Sequence, residues 1–386
     1  MQTPAEFDSI RCYEARDMQP VFEELLADPQ FLAVLPHVCP DLPIDQLRAR
    51  LYACPDILDF QRQFIYSLVY GIMDRASTGL SMDCTAVADR SVPYTFLSNH
   101  RDIVLDSALL SALLIENGFP TTAEVAIGDN LLIHPWIKHV VRLNKAFIVQ
   151  RSLGLRETLV ASQLMSRYMH FVVREKRDPI WIAQREGRAK DSDDRTQESV
   201  LKMIAMGGEG TPVESLKEMH IAPLTISYEY DPCDYLKARE FQLRRDNPDY
   251  RKTREDDLLN MRTGIYGFKG RVHYQVAPCI NAWLDEYADL RKNEFFETVA
   301  RRIDHDIFLG YRLYPNNYIA ADRLSGNSDH SAHYTAADEE RFEAYLQGQL
   351  DKVGLPAPDC AFLRERMLTM YANPLRNHEA ARRSEV

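Results

Sequence analysis

Apolar residues recur every three or four positions through most of the first 80 residues, which is the spacing of one buried helix face. Proline and glycine interrupt this pattern, so we predict a region of several short helices over residues 1–84. The same periodicity returns over residues 286–386. The pattern therefore predicts helical extensions on both sides of a central domain.

Residues 85–285 show a different pattern, in which short apolar or β-branched runs alternate with helical stretches. The runs that we predict as strands are PYTFLS (93–98), TAEVAI (122–127), AFIVQ (146–150), PIWIAQ (179–184), APLTISYEY (222–230) and RVHYQVA (271–277). Such alternation predicts an α/β domain with a mixed, mostly parallel sheet flanked by helices. Sites in these sheets form where strands end, so polar residues at those ends are the first candidates.

The composition is that of an ordinary globular protein, with 45% hydrophobic and 27% charged residues. A net charge of -11 argues against a nucleic-acid-binding protein but allows a local basic patch. The seven cysteines are scattered without a CxxC pair, so we expect neither a metal site nor a disulfide framework. This cysteine usage predicts a protein of the reducing cytoplasm. We see no signal-peptide pattern and no run of about 18 apolar residues that would span a membrane.

The first polar cluster after a predicted strand is Asn99-His100-Arg101-Asp102, followed by Asp106. A neutral imidazole can take a proton from a hydroxyl, and a nearby carboxylate fixes its tautomer. The structural alternative is that a helix begins near Asp102, which caps it, and that Asp106 lies on its exposed face. If a helix begins there, Asp102 and Asp106 share one face, and both compete to be the partner of His100.

Basic side chains follow two later strands. Arg151 ends the run KAFIVQR, where a guanidinium can hold a phosphate or carboxylate, although a surface salt bridge is the simpler alternative. The run PIWIAQ continues through one arginine into Glu186 and Gly187, and glycine permits a tight turn there. Arg188 and Lys190 add positive charge to this segment, which could also be a solvated loop.

Two other enzyme classes lack their sequence signatures. The chain contains no GxSxG elbow, so a serine hydrolase is not supported. The segment GGEGTP (207–212) lacks the lysine of a phosphate-binding P-loop.

In order and spacing, the clusters resemble the four sequence blocks of the glycerolipid acyltransferases, which include glycerol-3-phosphate and 1-acylglycerol-3-phosphate O-acyltransferases. The matching stretches are NHRDIVLD, KAFIVQR, IWIAQREGRAK and IAPLTISYE, within about residues 90–280. The sequence departs from the family pattern twice. Five residues rather than four separate His100 from Asp106, and Arg188 follows Gly187 directly.

The resemblance implies an enzyme of phospholipid biosynthesis that moves an acyl chain from a thioester to the hydroxyl of a glycerol phosphate or lysophospholipid. His100 would be the general base, oriented by Asp106, with Asp102 as the rival for that role. The residues that would bind or surround the anionic head are Arg101, Arg151, Glu186, Gly187, Arg188 and Lys190.

The resemblance also implies partners and a location. The donor would be acyl-CoA or acyl carrier protein as a co-substrate, with no metal and no bound cofactor. The enzyme would be cytoplasmic and peripherally associated with the inner face of the cytoplasmic membrane, through amphipathic surfaces.

Three alternatives remain open. The altered third block is compatible with O-acylation of another lipid hydroxyl, such as that of an acyl-amino-acid lipid. The shifted aspartate is compatible with a lipid-binding relative that has lost activity. A thioesterase, which needs no acceptor, is the third.

Overall fold

Each run predicted as a strand overlaps one in the computed structural model, which describes residues 2–38, 43–151 and 153–384. Over these residues the strands are β1 (Gly79–Asp83), β2 (Thr95–Ser98), β3 (Glu124–Gly128), β4 (Ala146–Val149), β5 (Ile180–Ala183), β6 (Ile221–Tyr228) and β7 (Arg271–Val276). They form one sheet in the order β1-β7-β6-β2-β5-β3-β4. Neighbouring strands run parallel except β6 and β7, which are antiparallel. The predicted mixed, mostly parallel sheet flanked by helices is confirmed.

Helices cover the sheet and form the two ends of the chain. Over the described residues they are α1 (Ala15–Ala27), α2 (Pro29–Val38), α3 (Ile44–Ala53), α4 (Ile57–Phe60), α5 (Ser67–Ala76), α6 (Leu105–Glu116), α7 (Pro135–Leu143), α8 (Leu155–Phe171), α9 (Glu198–Ala205), α10 (Pro212–Glu218), α11 (Asp234–Asp246), α12 (Arg254–Tyr266), α13 (Lys292–Leu309), α14 (Pro315–Ser325), α15 (Ala336–Leu350) and α16 (Cys360–Arg383). A π-helical segment, Gln61–Tyr66, joins α4 to α5.

Two apolar layers enclose the sheet. On one face, α8, α9 and α13 pack with strand residues that include Leu97 and Ile182. On the other face, α5 and α6 pack with the alternate strand positions, including Phe96 and Trp181. Because helices cover both faces, a strand here needs no polar side, and all of β2 is buried.

The helices near the chain ends have apolar cores of their own. Helices α1, α3 and α4 pack with Trp136 and Leu143 of α7. Helices α14, α15 and α16 pack with one another and with Ala238 of α11. The division into residues 1–84, 85–285 and 286–386 stays a prediction.

Strand β1 was not predicted, and its sequence was assigned to the N-terminal helical region. Its five residues, GLSMD, are exposed or half-buried, so they show no apolar run. Its partner is β7, and the paired residues Ser81 and His273 lie 192 positions apart. Pairing with a distant strand, rather than local pattern, makes this segment extended.

The structure also bears on membrane crossing, metal binding and disulfide bonds. No helix in the described ranges is long and apolar enough to cross a membrane. Within those ranges, no group of three or more His, Cys, Asp or Glu residues could hold a metal ion. The cysteines of the described residues form no disulfide, and Cys39 lies outside those residues.

The sheet topology brings the predicted polar clusters together. The parallel strands β2 and β5 pair Ser98 with Ala183 at their carboxyl ends, and β3 and β4 pair Gly128 with Val149. Carboxyl ends of parallel neighbours lie at one edge of the sheet. The segments that follow these strands therefore meet at that edge.

Candidate active site

Asn99 fixes the backbone directly after β2. Its side-chain Nδ2 donates to the carbonyl of Ile226, at 2.9 Å, and its Oδ1 accepts from the N–H of Ile226, at 2.7 Å. The buried amide thereby extends the contact between β2 and β6 by one residue beyond the strand. His100 follows this anchored residue, so its position is defined by the sheet.

His100 is hydrogen-bonded to Asp106. The distance from His100 Nδ1 to Asp106 Oδ2 is 2.8 Å. The same oxygen accepts from the backbone N–H groups of Arg101 and Asp102, at 2.6 and 3.0 Å. An ionised carboxylate only accepts hydrogen bonds, so this geometry favours the tautomer with the proton on Nδ1. That tautomer leaves Nε2 as a proton acceptor.

Asp106 also accepts a hydrogen bond from the hydroxyl of Tyr228, at 3.0 Å. Burial, followed by the charge of Asp106, raises the pKa of Tyr228 well above its usual value, so the phenol stays protonated and can donate. Asp106 is fully buried, so the alternative that placed it on an exposed helix face is wrong.

Asp102 caps the helix that follows. Its Oδ1 accepts from the N–H groups of Val104 and Leu105, at 2.8 and 2.7 Å. Helix α6 begins at Leu105 rather than near Asp102, because a turn at Ile103 and Val104 intervenes. This turn accommodates the additional residue between His100 and Asp106. Burial, and after it the charge of Asp106, raises the pKa of Asp102.

His100 lies in the wall of a cavity of about 420 Å³. Apolar residues of this lining include Ile103, Ile127, Leu131, Trp181 and Ala183. Its basic residues are Arg151, Arg185, Arg188, Lys190, Lys237 and Lys252, and its acidic residues are Glu186, Glu240 and Asp257. The cavity thus has an excess of basic over acidic groups in a chain of net charge -11, which favours an anionic ligand.

Trp181 and Arg185 reach the cavity from one face of β5 and its continuation. Alternate residues of an extended segment share a face, which explains why Trp181, Ala183 and Arg185 all line the cavity. The indole Nε1 of Trp181 donates to Ser98 Oγ at 3.0 Å, and its ring meets the His100 ring edge-on, with centroids 5.4 Å apart. Arg185 was not among the residues proposed from the sequence. The strand alternation that starts at Trp181 was the signal that could have found it.

The predicted basic residues of the third block have partners within the protein. Arg188 donates to the carbonyl of Arg101, at 3.4 Å, and to Asn260 Oδ1, at 3.2 Å. Lys190 forms an ion pair with Glu240. Gly187 adopts a φ of 67°, so the predicted tight turn is present and requires the left-handed backbone that glycine favours.

Arg151, the arginine of the second block, also lies in the cavity lining. Its guanidinium is 3.4 Å from the carboxylate of Glu186, and the Glu186 side chain is 72% exposed. Gly128 allows this packing, because a Cβ there would lie 2.8 Å from Arg151 Nε. The pair is therefore solvated and weak, so Arg151 can turn to a ligand.

Arg101 is the exception among the proposed substrate-binding residues. Its guanidinium is buried, lies 2.6 Å from Asp194, and donates to the hydroxyl of Tyr311 at 3.0 Å. It does not contribute to the lining of the cavity that holds His100. The expectation that Arg101 would hold the acceptor therefore needs correction. In this structure its side chain ties the site to Asp194 and Tyr311 instead.

No protein-family model and no curated protein matches the sequence. Among solved structures, the chain is similar to the crystal structure of the 1-acyl-sn-glycerophosphate acyltransferase PlsC from Thermotoga maritima. The two share 13% sequence identity with a TM-score of 0.36, over 75% of this chain and 95% of that one. Because this likeness is distant, function has to follow from the residues of the site themselves.

Proposed function

We propose that the protein is an acyltransferase that moves a fatty acyl chain from a thioester to the hydroxyl of a glycerol-phosphate or lysophospholipid acceptor. The observation that carries the proposal is the His100–Asp106 hydrogen bond in the wall of a cavity with excess positive charge. A base held by a carboxylate, beside groups that attract an anion, suits deprotonation of a hydroxyl on an anionic molecule.

In the proposed reaction, His100 Nε2 takes the proton of the acceptor hydroxyl as its oxygen attacks the thioester carbonyl. A carbon–oxygen bond forms, the carbon–sulfur bond breaks, and the departing thiolate takes the proton from the imidazolium. Asp106 holds the Nδ1 proton throughout, at 2.8 Å in the free enzyme, and stabilises the imidazolium. Every proton is returned, so the enzyme ends the cycle unchanged.

The remaining assignments are part of the same proposal. Arg151, Arg188 and Lys190 surround the anionic head of the acceptor, and Glu186 with Gly187 shapes the loop that carries two of them. The donor is acyl-CoA or an acyl carrier protein thioester, used as a co-substrate. Contact with the inner face of the cytoplasmic membrane would deliver lipid acceptors.

The test is an acyl-transfer assay that combines both donor types with several acceptors and resolves the products by mass. We expect transfer to glycerol 3-phosphate or 1-acylglycerol 3-phosphate. If both fail while an acyl-amino-acid lipid accepts the chain, the acceptor class proposed here is wrong. Release of free fatty acid at the same rate without any acceptor would instead indicate a thioesterase.

A matched pair of histidine variants tests the base. We expect His100→Ala to lower kcat by about 100-fold or more, the usual contribution of a general base. His333→Ala is the control, because His333 is an exposed residue of the 3₁₀ turn Ser331–His333 and is not part of the cavity lining. Equal turnover by His100→Ala and the parent protein would overturn the catalytic assignment and support a lipid-binding role.

A further inference from the structure

The basic residues of the cavity lining differ in whether they already have a hydrogen-bond or ion-pair partner within the protein. Lys190, Lys237 and Lys252 form ion pairs with Glu240, Asp231 and Asp257 respectively. Arg151 contacts Glu186, and Arg188 donates to a carbonyl and to Asn260. Within residues 2–38, 43–151 and 153–384, no hydrogen bond or ion pair reaches the guanidinium of Arg185, and its Nε is buried.

An unpaired, partly buried guanidinium is costly, because the charge loses water without gaining a partner. Arginine also presents its donors as a planar fork that matches the oxygens of a phosphate or carboxylate. Arg185 is therefore the basic residue of this lining that gains most from an incoming anion. The paired lysines would first have to give up a carboxylate.

The backbone holds Arg185 in a defined position. The N–H of Gln184 donates to the carbonyl of Ser98, at 2.8 Å, and the carbonyl of Gln184 accepts from the N–H of Gln197, at 2.9 Å. The N–H of Glu186 donates to Gln197 Oε1, at 2.8 Å. Backbone hydrogen bonds on both sides of Arg185 leave mainly its side chain free to adjust, as a preorganised binding group requires.

We propose that Arg185 is the residue that binds the anionic group of the acceptor, and so positions the acceptor hydroxyl for His100. This inference rests on the proposed function for the identity of the acceptor. It adds a specificity-determining residue that lies within the third block but was not among the residues proposed from the sequence. Trp181 links the two groups, since it shares a face with Arg185 and touches the His100 ring.

Binding and kinetics of Arg185 variants test the inference. Calorimetry with glycerol 3-phosphate, and separately with inorganic phosphate, should show Arg185→Gln binding about 10- to 100-fold more weakly than the parent, as expected for loss of charged hydrogen bonds. Arg185→Lys should recover part of this loss, because it restores the charge without the fork. KM for the phosphorylated acceptor should rise similarly, with kcat changed less than about threefold.

Two controls make the outcome interpretable. Arg48→Gln removes one positive charge from the exposed surface of α3 and should leave Kd and KM unchanged. His100→Ala should bind both anions like the parent. The melting temperature of Arg185→Gln should be no lower than that of the parent, because the side chain loses no partner among the described residues and an unpaired charge is removed. If Arg185→Gln is destabilised, Arg185→Lys provides a second variant.

The two proposals fail in different ways. Parental Kd and KM for Arg185→Gln, in an enzyme that still transfers acyl chains, would overturn the role of Arg185 and leave the proposed function standing. Anion binding that depends on Arg185, in a protein that transfers acyl chains to no acceptor, would overturn the proposed function and keep the anion site.

Discussion

Asp106 gathers four hydrogen bonds onto one buried carboxylate: from His100, from two backbone N–H groups and from Tyr228. An asparagine there would present an NH₂ group to some of these donors and would not hold the Nδ1 proton in the same way. We expect Asp106→Asn to lower kcat by about 100-fold or more. The measurement is kcat with the acceptor and donor that the parent protein uses best.

Asp102 is the residue to compare with Asp106, because the sequence left both carboxylates open as partners of His100. In the structure Asp102 caps α6 through Val104 and Leu105. We expect Asp102→Ala to lower the free energy of unfolding by about 1 kcal/mol, as lost caps do, with kcat changed only a few-fold. Urea unfolding and the same kinetic assay show whether Asp102 acts as the helix cap or as the partner of His100. Loss of turnover in Asp102→Ala but not in Asp106→Asn would reverse the roles.

Single residues also show what the sequence could reveal about the site. His100, Arg151 and Arg188 could be proposed because they follow apolar runs, and the sheet brings strand ends together. The burial of Arg101 could not be foreseen, since its partners Asp194 and Tyr311 lie 93 and 210 positions away. Local sequence places a residue at a strand end, but distant elements determine where its side chain turns.

Helix α12 lies against the site so closely that one of its residues has to be glycine. A Cβ on Gly264 would lie 2.0 Å from Asp102 Oδ2, and Asp102 is held by its capping hydrogen bonds. We therefore expect Gly264→Ala to lower the free energy of unfolding by about 1–3 kcal/mol, as overpacking does, despite the higher helix propensity of alanine. The displaced cap should also reduce kcat.

Gly71 in α5 is the matched control, because a Cβ there would meet no atom of the described residues within 4 Å. We expect Gly71→Ala to raise the free energy of unfolding by about 0.5–1 kcal/mol, since alanine favours the helix. Denaturant unfolding of both variants measures the difference. If Gly264→Ala is stabilised as much as Gly71→Ala, close packing of α12 on Asp102 does not exist in solution.

Elements differed in how far the sequence could predict them. Six strands were found because helices cover both faces of the sheet, which makes buried strands continuous apolar runs. Strand β1 and the start of α6 were not predicted. Strand β1 depends on pairing with β7, and the start of α6 depends on a turn stabilised by Asp102. Both depend on contacts that the periodicity of the chain does not contain.

Across the whole molecule, a buried aspartate joins the C-terminal helices to α11. Asp234 accepts hydrogen bonds from Tyr371 of α16, at 2.7 Å, and from Tyr345 of α15, at 3.0 Å, and it also contacts Gln349. Burial raises the pKa of Asp234 from 3.8 to about 7, although these hydrogen bonds oppose the shift. A carboxyl that links three helices therefore titrates near neutral pH.

The sign of the resulting pH dependence follows from that shift. Between pH 3.8 and about 7, folded protein retains a proton on Asp234 that unfolded protein has released. This group therefore makes the free energy of unfolding fall as pH rises through that window, and its stabilising contribution is complete only below it. Asparagine at position 234 cannot titrate, so the free energy of unfolding of Asp234→Asn should decline less between pH 4 and 7.

Burial also raises the pKa of Asp304, to about 6, but both proteins contain that group, so the difference between their pH profiles isolates Asp234. Urea unfolding at several pH values measures it, with the exposed Asp249→Asn as the control. Parallel pH profiles for Asp234→Asn and the parent would show that Asp234 does not titrate in this range.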